Sequence, residues 1–206
     1  MSKRSDTKRW LAAHRSDPYV KAAQSDNYRS RAVYKLAEID EKDRLLARAR
    51  CVVDLGAAPG GWSQYVRRKK PDARVIALDR LAMDGIDGVR FLQVDFAEQA
   101  GLDALMSELD GAGVDLVLSD MAPNLTGVKA ADQAGVMQLA ELSLALCDDV
   151  LRPGGALLIK VFQGEGFDEL LADMRSRFSR VTTRKPKASR DASREMYLLG
   201  TGWRGD

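Results

Sequence analysis

The sequence predicts an α/β fold, one mostly parallel sheet with helices on both faces, and three observations point to it. Short apolar runs alternate with stretches of helical period from residue 51 onward. The runs are nearly continuous in apolar residues rather than alternating, as strands covered on both faces must be. A glycine-rich turn follows the first run, at Gly56–Gly61. Five runs read as buried strands: Cys51–Leu55, Arg74–Leu78, Val89–Val94, Val114–Ser119 and Ala156–Phe162. Two more, at Arg180–Arg184 and Glu195–Gly200, bring the expected sheet to seven strands. Helical stretches lie near Trp62–Lys69, Leu102–Leu109, Ala130–Leu151 and Phe167–Phe178. Arg152-Pro153-Gly154-Gly155 reads as the stop signal of the third of these. Strand–helix alternation of this kind sends each crossover helix over one face of a parallel sheet.

Before the first strand, Ala32, Val33, Leu36 and Ile39 recur at helical spacing, with Ser30 as a candidate cap. Residues 1–28 are polar, lack a sustained period and contain Asp17-Pro18, which reads as a helix breaker. They are expected to form a basic arm ahead of a single domain at residues 29–206. Trp10, Tyr19 and Tyr28 in that arm could stack on bases or anchor it to the domain, and His14, the only histidine, is expected to face solvent or RNA.

Composition excludes several classes. Among 206 residues, 45% are hydrophobic and 30% charged, a globular balance rather than a disordered one. No apolar run approaches the roughly 20 residues of a membrane span, and the basic start leads into no apolar segment of the secretory kind. Cys51 and Cys147 sit in apolar surroundings without partner spacing, which argues against a disulfide framework or a metal site. A cytoplasmic, monomeric protein without a metal is expected. The net charge is only +2, but it is unevenly spread. Residues 1–35 carry nine basic side chains against three acidic ones, and residues 175–194 carry eight against one. Two basic ends around an acidic middle suggest a polyanion held by part of the surface.

Ligands of such sheets bind beyond the carboxyl ends of the strands. The first strand runs into Asp54-Leu55-Gly56-Ala57-Ala58-Pro59-Gly60-Gly61-Trp62. Its glycines fall as G-x-x-x-G-G, not as the G-x-G-x-x-G of a dinucleotide site, and Pro59 removes an amide donor from the loop. S-adenosylmethionine has no phosphate to cradle, so that loss favours it over a dinucleotide. Asp79, ending the second strand, can accept from two ribose hydroxyls, and Asp95, after the third, can meet an adenine amino group. The fourth strand ends in Ser119-Asp120-Met121-Ala122-Pro123-Asn124, which lacks the aromatic that base-amine methyltransferases stack on their target. The fifth carries Lys160 inside an apolar run, an expensive place for a lysine unless it is paired or functional.

DLGAAPGGWSQ, SDMAPN, KVFQGEGFDEL and SREMYL, together with SDPYVKAAQ and YRSRAVYKLAEID, resemble the FtsJ-type family of heat-shock-associated ribosomal RNA large-subunit 2′-O-ribose methyltransferases. The resemblance covers nearly the whole chain, departing only at peripheral positions such as Ala37 and Asp40. It implies a single Rossmann-like S-adenosylmethionine methyltransferase domain, with S-adenosyl-L-methionine as cofactor. The implied reaction is 2′-O-methylation of a uridine in 23S-type ribosomal RNA, within the assembled large ribosomal subunit. The family's Lys-Asp-Lys-Glu tetrad carries over to Lys35, Asp120, Lys160 and Glu195, and its cofactor positions to Gly60, Trp62, Asp79, Asp95 and Asp120. Chemically, a ribose hydroxyl is a very weak acid. A buried Lys160 with Lys35 nearby would act as base while Asp120 and Glu195 orient the ammonium groups. Transfer RNA or an RNA cap as substrate, and a non-catalytic RNA-binding assembly factor, are the competing readings. A nucleotide oxidoreductase is disfavoured by the glycine spacing and Pro59.

Overall fold

Leu55, the last residue of the first strand, lies at the point where the sheet changes its direction of growth. A computed structural model describes residues 17–124, 126–189 and 193–205. Its strands are β1 (Cys51–Leu55), β2 (Arg74–Asp79), β3 (Val89–Gln93), β4 (Val114–Ser119), β5 (Leu151–Phe162), β6 (Phe178–Arg184) and β7 (Glu195–Trp203). They form one sheet in the order β3-β2-β1-β4-β5-β7-β6. The first five pair in parallel, and β7 enters antiparallel between β5 and β6. The chain builds from β1 outward to β3, then returns to the other side of β1 with β4. The loops after β1 and β4 therefore diverge and leave a crevice at the carboxyl edge.

The described helices are α1 (Pro18–Ser25), α2 (Val33–Asp43), α3 (Gly61–Lys69), α4 (Gln99–Leu109), α5 (Lys129–Val150) and α6 (Phe167–Arg177). They divide between the two faces as the strand alternation demands. Val33, Leu36 and Ile39 of α2 and Trp62, Tyr65 and Val66 of α3 pack with Val52, Val75, Leu116 and Leu158 on one face. On the other, Leu105 and Leu109 of α4, Met137 and Leu144 of α5, and Leu170 and Met174 of α6 cover Val53, Ile76, Val117 and Leu157. Every residue of β1 is buried, which is why that strand shows no polar alternation.

Three local readings change. Pro18 starts a helix instead of breaking one: Asp17 caps α1 by accepting from the Tyr19 amide at 2.9 Å, and proline fits the first turn, where no amide donor is needed. Arg152–Gly155 does not separate α5 from β5, because the helix passes directly into a strand at Leu151. Val114 pairs with Leu151 and Leu116 with Ala156, so the extra residues bulge out of the ladder, with Gly154 at φ +84. Ser30 does not cap α2, since Ala32 precedes it in helical conformation and no side chain caps it.

Residues 17–28 fold against the sheet-covering helices. Gln64 and Arg68, one turn apart on α3, grip the turn after α1: the Gln64 amide donates to the Asn27 carbonyl at 2.7 Å, and the Arg68 guanidinium donates to the Asp26 and Asn27 carbonyls at 2.8 Å each. The Arg68 guanidinium also lies 4.2 Å over the Tyr28 ring. Arg31 ties the Asp17 carboxylate to the Ala188 carbonyl. Tyr19 and Tyr28 thus pack as anchors, each against Tyr34, whereas Trp10 and His14 lie outside the described residues. Among the described residues no helix is long and apolar enough to cross a membrane.

Candidate active site

A cavity of about 450 Å³ opens at the crevice, lined by Gly56, Asp79, Asp95, Phe96, Asp120, Met121 and Pro123 among others. That volume suits a nucleoside-sized ligand. Gly56 sets the seam between the two loops. Its φ is +72, and a Cβ there would lie 3.0 Å from the Met121 backbone, so any other residue would be strained and crowded. Asp79 is held by two backbone amides, Ala58 N at 2.9 Å and Leu81 N at 2.8 Å, one on each oxygen. Each oxygen keeps a lone pair for a further donor. Asp95 accepts from the Ala97 amide at 3.0 Å and faces the same cavity.

A smaller cavity of about 170 Å³ lies against the start of α3, lined by Ser30, Ala32, Asp54, Gly56, Ala58, Trp62 and Asp120. Trp62 presents no side chain for a ligand. Its indole donates to the Ala32 carbonyl at 2.8 Å and its ring packs 5.8 Å from Tyr197. Only its backbone amide, in the uncapped first turn of α3, remains to offer. Gly60 lines neither cavity. At φ +107 it turns the chain into α3, its amide donates to the Ala57 carbonyl at 2.6 Å, and a Cβ would strike Ile86.

Asp54, inside β1, carries no assigned role in the sequence. It is fully buried, accepts from the Ser63 hydroxyl at 2.6 Å on one oxygen, and has its other oxygen buried without a partner. Burial pushes its carboxyl up to about 7, the Ser63 hydrogen bond opposes that, and the charges of Asp120 and Asp79 add to it. A buried unpartnered acceptor beside a cavity suits a cationic ligand.

The four residues of the expected tetrad come together at the edge of these cavities. Lys160, 9% exposed, donates to the Asp120 carbonyl at 2.5 Å and lies 3.1 Å from its carboxylate. Lys35, projecting from α2, pairs with Glu195 at 2.6 Å. Two residues unnoticed in the sequence join the pairs. The Tyr197 hydroxyl donates to Asp120 at 2.7 Å, while the Lys35 ammonium lies 5.9 Å over its ring. The Ser189 hydroxyl donates to the same Glu195 oxygen that Lys35 meets, at 3.0 Å. Burial would raise the Asp120 carboxyl, but the Lys160 and Lys35 charges and the Tyr197 hydroxyl hold it below its usual range. Burial, with the Asp120 and Glu195 charges, drives the Tyr197 phenol well above its ordinary value, so it remains a donor.

The basic run at 175–194 is only partly available to a polyanion. Arg177 is engaged by Asp148 and Asp173, Arg184 is bidentate on Asp43 at 2.7 and 2.6 Å, and Lys185 donates to the Ser193 and Glu195 carbonyls. Arg175, Arg180, Lys187 and Arg194 are exposed, and Arg190 lies outside the described residues. Among the described residues no group of three or more His, Cys, Asp or Glu gathers to hold a metal ion.

The chain is similar to known proteins over most of its length. The family described as FtsJ-like methyltransferase matches residues 28–203. Ribosomal RNA large subunit methyltransferase E of Pseudomonas aeruginosa is 55% identical over 207 residues, with 100% of both chains covered. The protein of the same name from Stenotrophomonas maltophilia is 57% identical, over 96% of this chain and 95% of its own. A solved ribosomal RNA methyltransferase from Plasmodium falciparum superposes with a TM-score of 0.77 at 29% identity, over 87% of this chain and 100% of its own. The chain belongs to the FtsJ-like methyltransferase family.

Proposed function

We propose that the chain is an RNA 2′-O-ribose methyltransferase that modifies a uridine of large-subunit ribosomal RNA, using S-adenosyl-L-methionine. The observation that carries this reading is the pair of linked ion pairs, Lys160–Asp120 and Lys35–Glu195, at the mouth of a nucleoside-sized cavity. The residues present fit the cofactor. Asp79 would take its ribose hydroxyls, Asp95 its adenine amino group, the first-turn amides of α3 its carboxylate, and the orphaned oxygen of Asp54 its cationic end. When bound, it would supply a methyl group on a sulfonium as the electrophile.

Lys160 then holds the attacking ribose hydroxyl and takes its proton, and Asp120 keeps the resulting ammonium in place. Lys35, fixed by Glu195 and Ser189, adds positive charge beside the forming alkoxide. Tyr197 keeps Asp120 aimed at Lys160. The relatives' names favour ribosomal over transfer RNA or cap substrates, and the intact ion pairs favour an enzyme over a non-catalytic assembly factor. The docking surface would comprise the exposed basic residues of the 175–194 run and the basic arm ahead of residue 29.

The test is methyl transfer from labelled S-adenosylmethionine to naked ribosomal RNA, large ribosomal subunits or transfer RNA, followed by mapping of the modified nucleotide. Label on a 2′-oxygen of large-subunit RNA is expected. Label on a base, or on transfer RNA alone, refutes the reading. A second expectation concerns Asp79→Asn, which keeps one acceptor oxygen and loses the charge. Cofactor binding should weaken by about 1 kcal/mol, about fivefold in Kd by calorimetry. An unchanged Kd removes Asp79 from the cofactor site.

A further inference from the structure

We infer that Phe162 and Arg194 form a stacking platform for a nucleobase beside the reactive ribose. The inference rests on the RNA-methyltransferase reading above. In the β5–β7 ladder Lys160 stands opposite Tyr197 and Phe162 opposite Glu195. Opposed residues of an antiparallel pair share a face, and so do residues two apart on one strand. Phe162 therefore lies on the tetrad face, one step outward from Lys160, about 7 Å along the strand. That is the reach from a ribose oxygen to a base. The Arg194 guanidinium sits 5.8 Å from the centroid of the Phe162 ring. Arg194 is exposed and Phe162 half-buried, so the stack stands at the mouth and not in the core.

The backbone of both members is held by hydrogen bonds. The Gln163 amide donates to the Arg194 carbonyl at 3.2 Å, and the Gln133 side chain donates to the Phe162 carbonyl at 3.1 Å and the Glu165 carbonyl at 2.9 Å. Asp132, next to Gln133 on the first turn of α5, accepts from Thr126 and Gly127 and so ties the loop after β4 to the same anchor. The Thr126 amide foremost, and Arg194 among the weaker contributors, hold the Asp132 carboxyl below its usual range.

The Arg194 guanidinium, over the Phe162 ring and on an exposed residue, is a flat cation that a base can reach, and bases stack on such planes. The SDMAPN segment has no aromatic with which to hold a base. The neighbouring strand supplies one in Phe162. A phosphate contact is the competing role for Arg194, and chemistry separates the two. Lysine can replace arginine on a phosphate but cannot replace its plane.

The experiment measures binding of unmethylated large ribosomal subunits to wild type, Phe162→Leu, Arg194→Lys and Arg194→Gln across a salt series. Phe162→Leu and Arg194→Lys should each raise Kd about fivefold or more, with cofactor Kd, melting temperature and the salt slope of Arg194→Lys unchanged. Wild-type affinity in Phe162→Leu overturns the platform. So does wild-type affinity in Arg194→Lys combined with a salt slope reduced by about one in Arg194→Gln, the mark of a phosphate contact. Failure of wild type to methylate any ribose is a separate result. It would sink the underlying reading.

Discussion

Lys160→Ala is expected to lower turnover on large ribosomal subunits by about 10²–10⁴-fold, the usual contribution of a positioned proton acceptor. Cofactor affinity should be unchanged, because the cavity walls come from β2, from the loops after β1, β2, β3 and β4, and from α5, not from Lys160. Some stability should also be lost. Asp120 would keep Lys35 and Tyr197 but lose its nearest positive charge inside a buried site. Lys160→Arg is the decisive variant. In the structure Lys160 donates to both the carbonyl and the carboxylate of Asp120, which is the work of an ammonium. To accept a proton it must first release one, and arginine cannot do so at working pH. Single-turnover rates measured from pH 6 to 10 separate the roles. A base predicts an arginine variant as inactive as alanine at every pH. Substantial activity in the arginine variant would instead make Lys160 an electrostatic anchor, with the proton leaving to Asp120 or water.

The second large effect is expected at Asp54. Burial pushes its carboxyl up to about 7, far above the ordinary 3.8. A cationic ligand end needs the ionised form, so cofactor affinity should tighten as pH rises through about 7 and level off above it. Asp54→Asn cannot ionise. It should bind the cofactor roughly 10- to 150-fold more weakly at pH 8, the range for a hydrogen bond to a charged group, and show no such pH dependence. Stability without cofactor runs the other way. The folded state holds its proton to higher pH than the unfolded chain, so between about 4 and 7 the wild type loses stability as pH rises and the Asn variant does not. Calorimetric titration at pH 6, 7 and 8 checks the first claim, and thermal melts from about pH 4 to 8 check the second. Affinity that stays flat with pH in the wild type would remove Asp54 from the cofactor site.

The sheet was largely legible because its strands are buried on both faces and so announce themselves as apolar runs. β1 and β4 fall at the residues their composition marks. Seams were harder to read. Pro18 is compatible with either a break or a first turn, and only the Asp17 cap distinguishes them. The Arg152–Gly155 segment carries every stop signal, yet parallel pairing to β4 draws it into the sheet as a bulge. The tetrad came from motif resemblance, whereas Tyr197 and Ser189 depend on register and on a loop folding back. No periodicity encodes either. Charge counts misled most at Arg184 and Lys185: Arg184 is held by the Asp43 carboxylate, far away in sequence, and Lys185 by the uncharged Ser193 and Glu195 carbonyls.

The placement of β7 has a consequence for how the enzyme comes into being. β7 is the last of the described strands in chain order, yet it sits inside the sheet, with β5 on one side and β6 on the other. During synthesis β1 to β4, and with them most of the nucleoside cavity, emerge long before Glu195 and Tyr197. A nascent chain that has not delivered β7 exposes the apolar ladder of β5 as an open edge, the kind of edge that recruits other strands. It also holds Lys35 without its carboxylate and Asp120 without its phenol. The cavity lining and the Lys35–Glu195 pair are thus completed at different moments of synthesis.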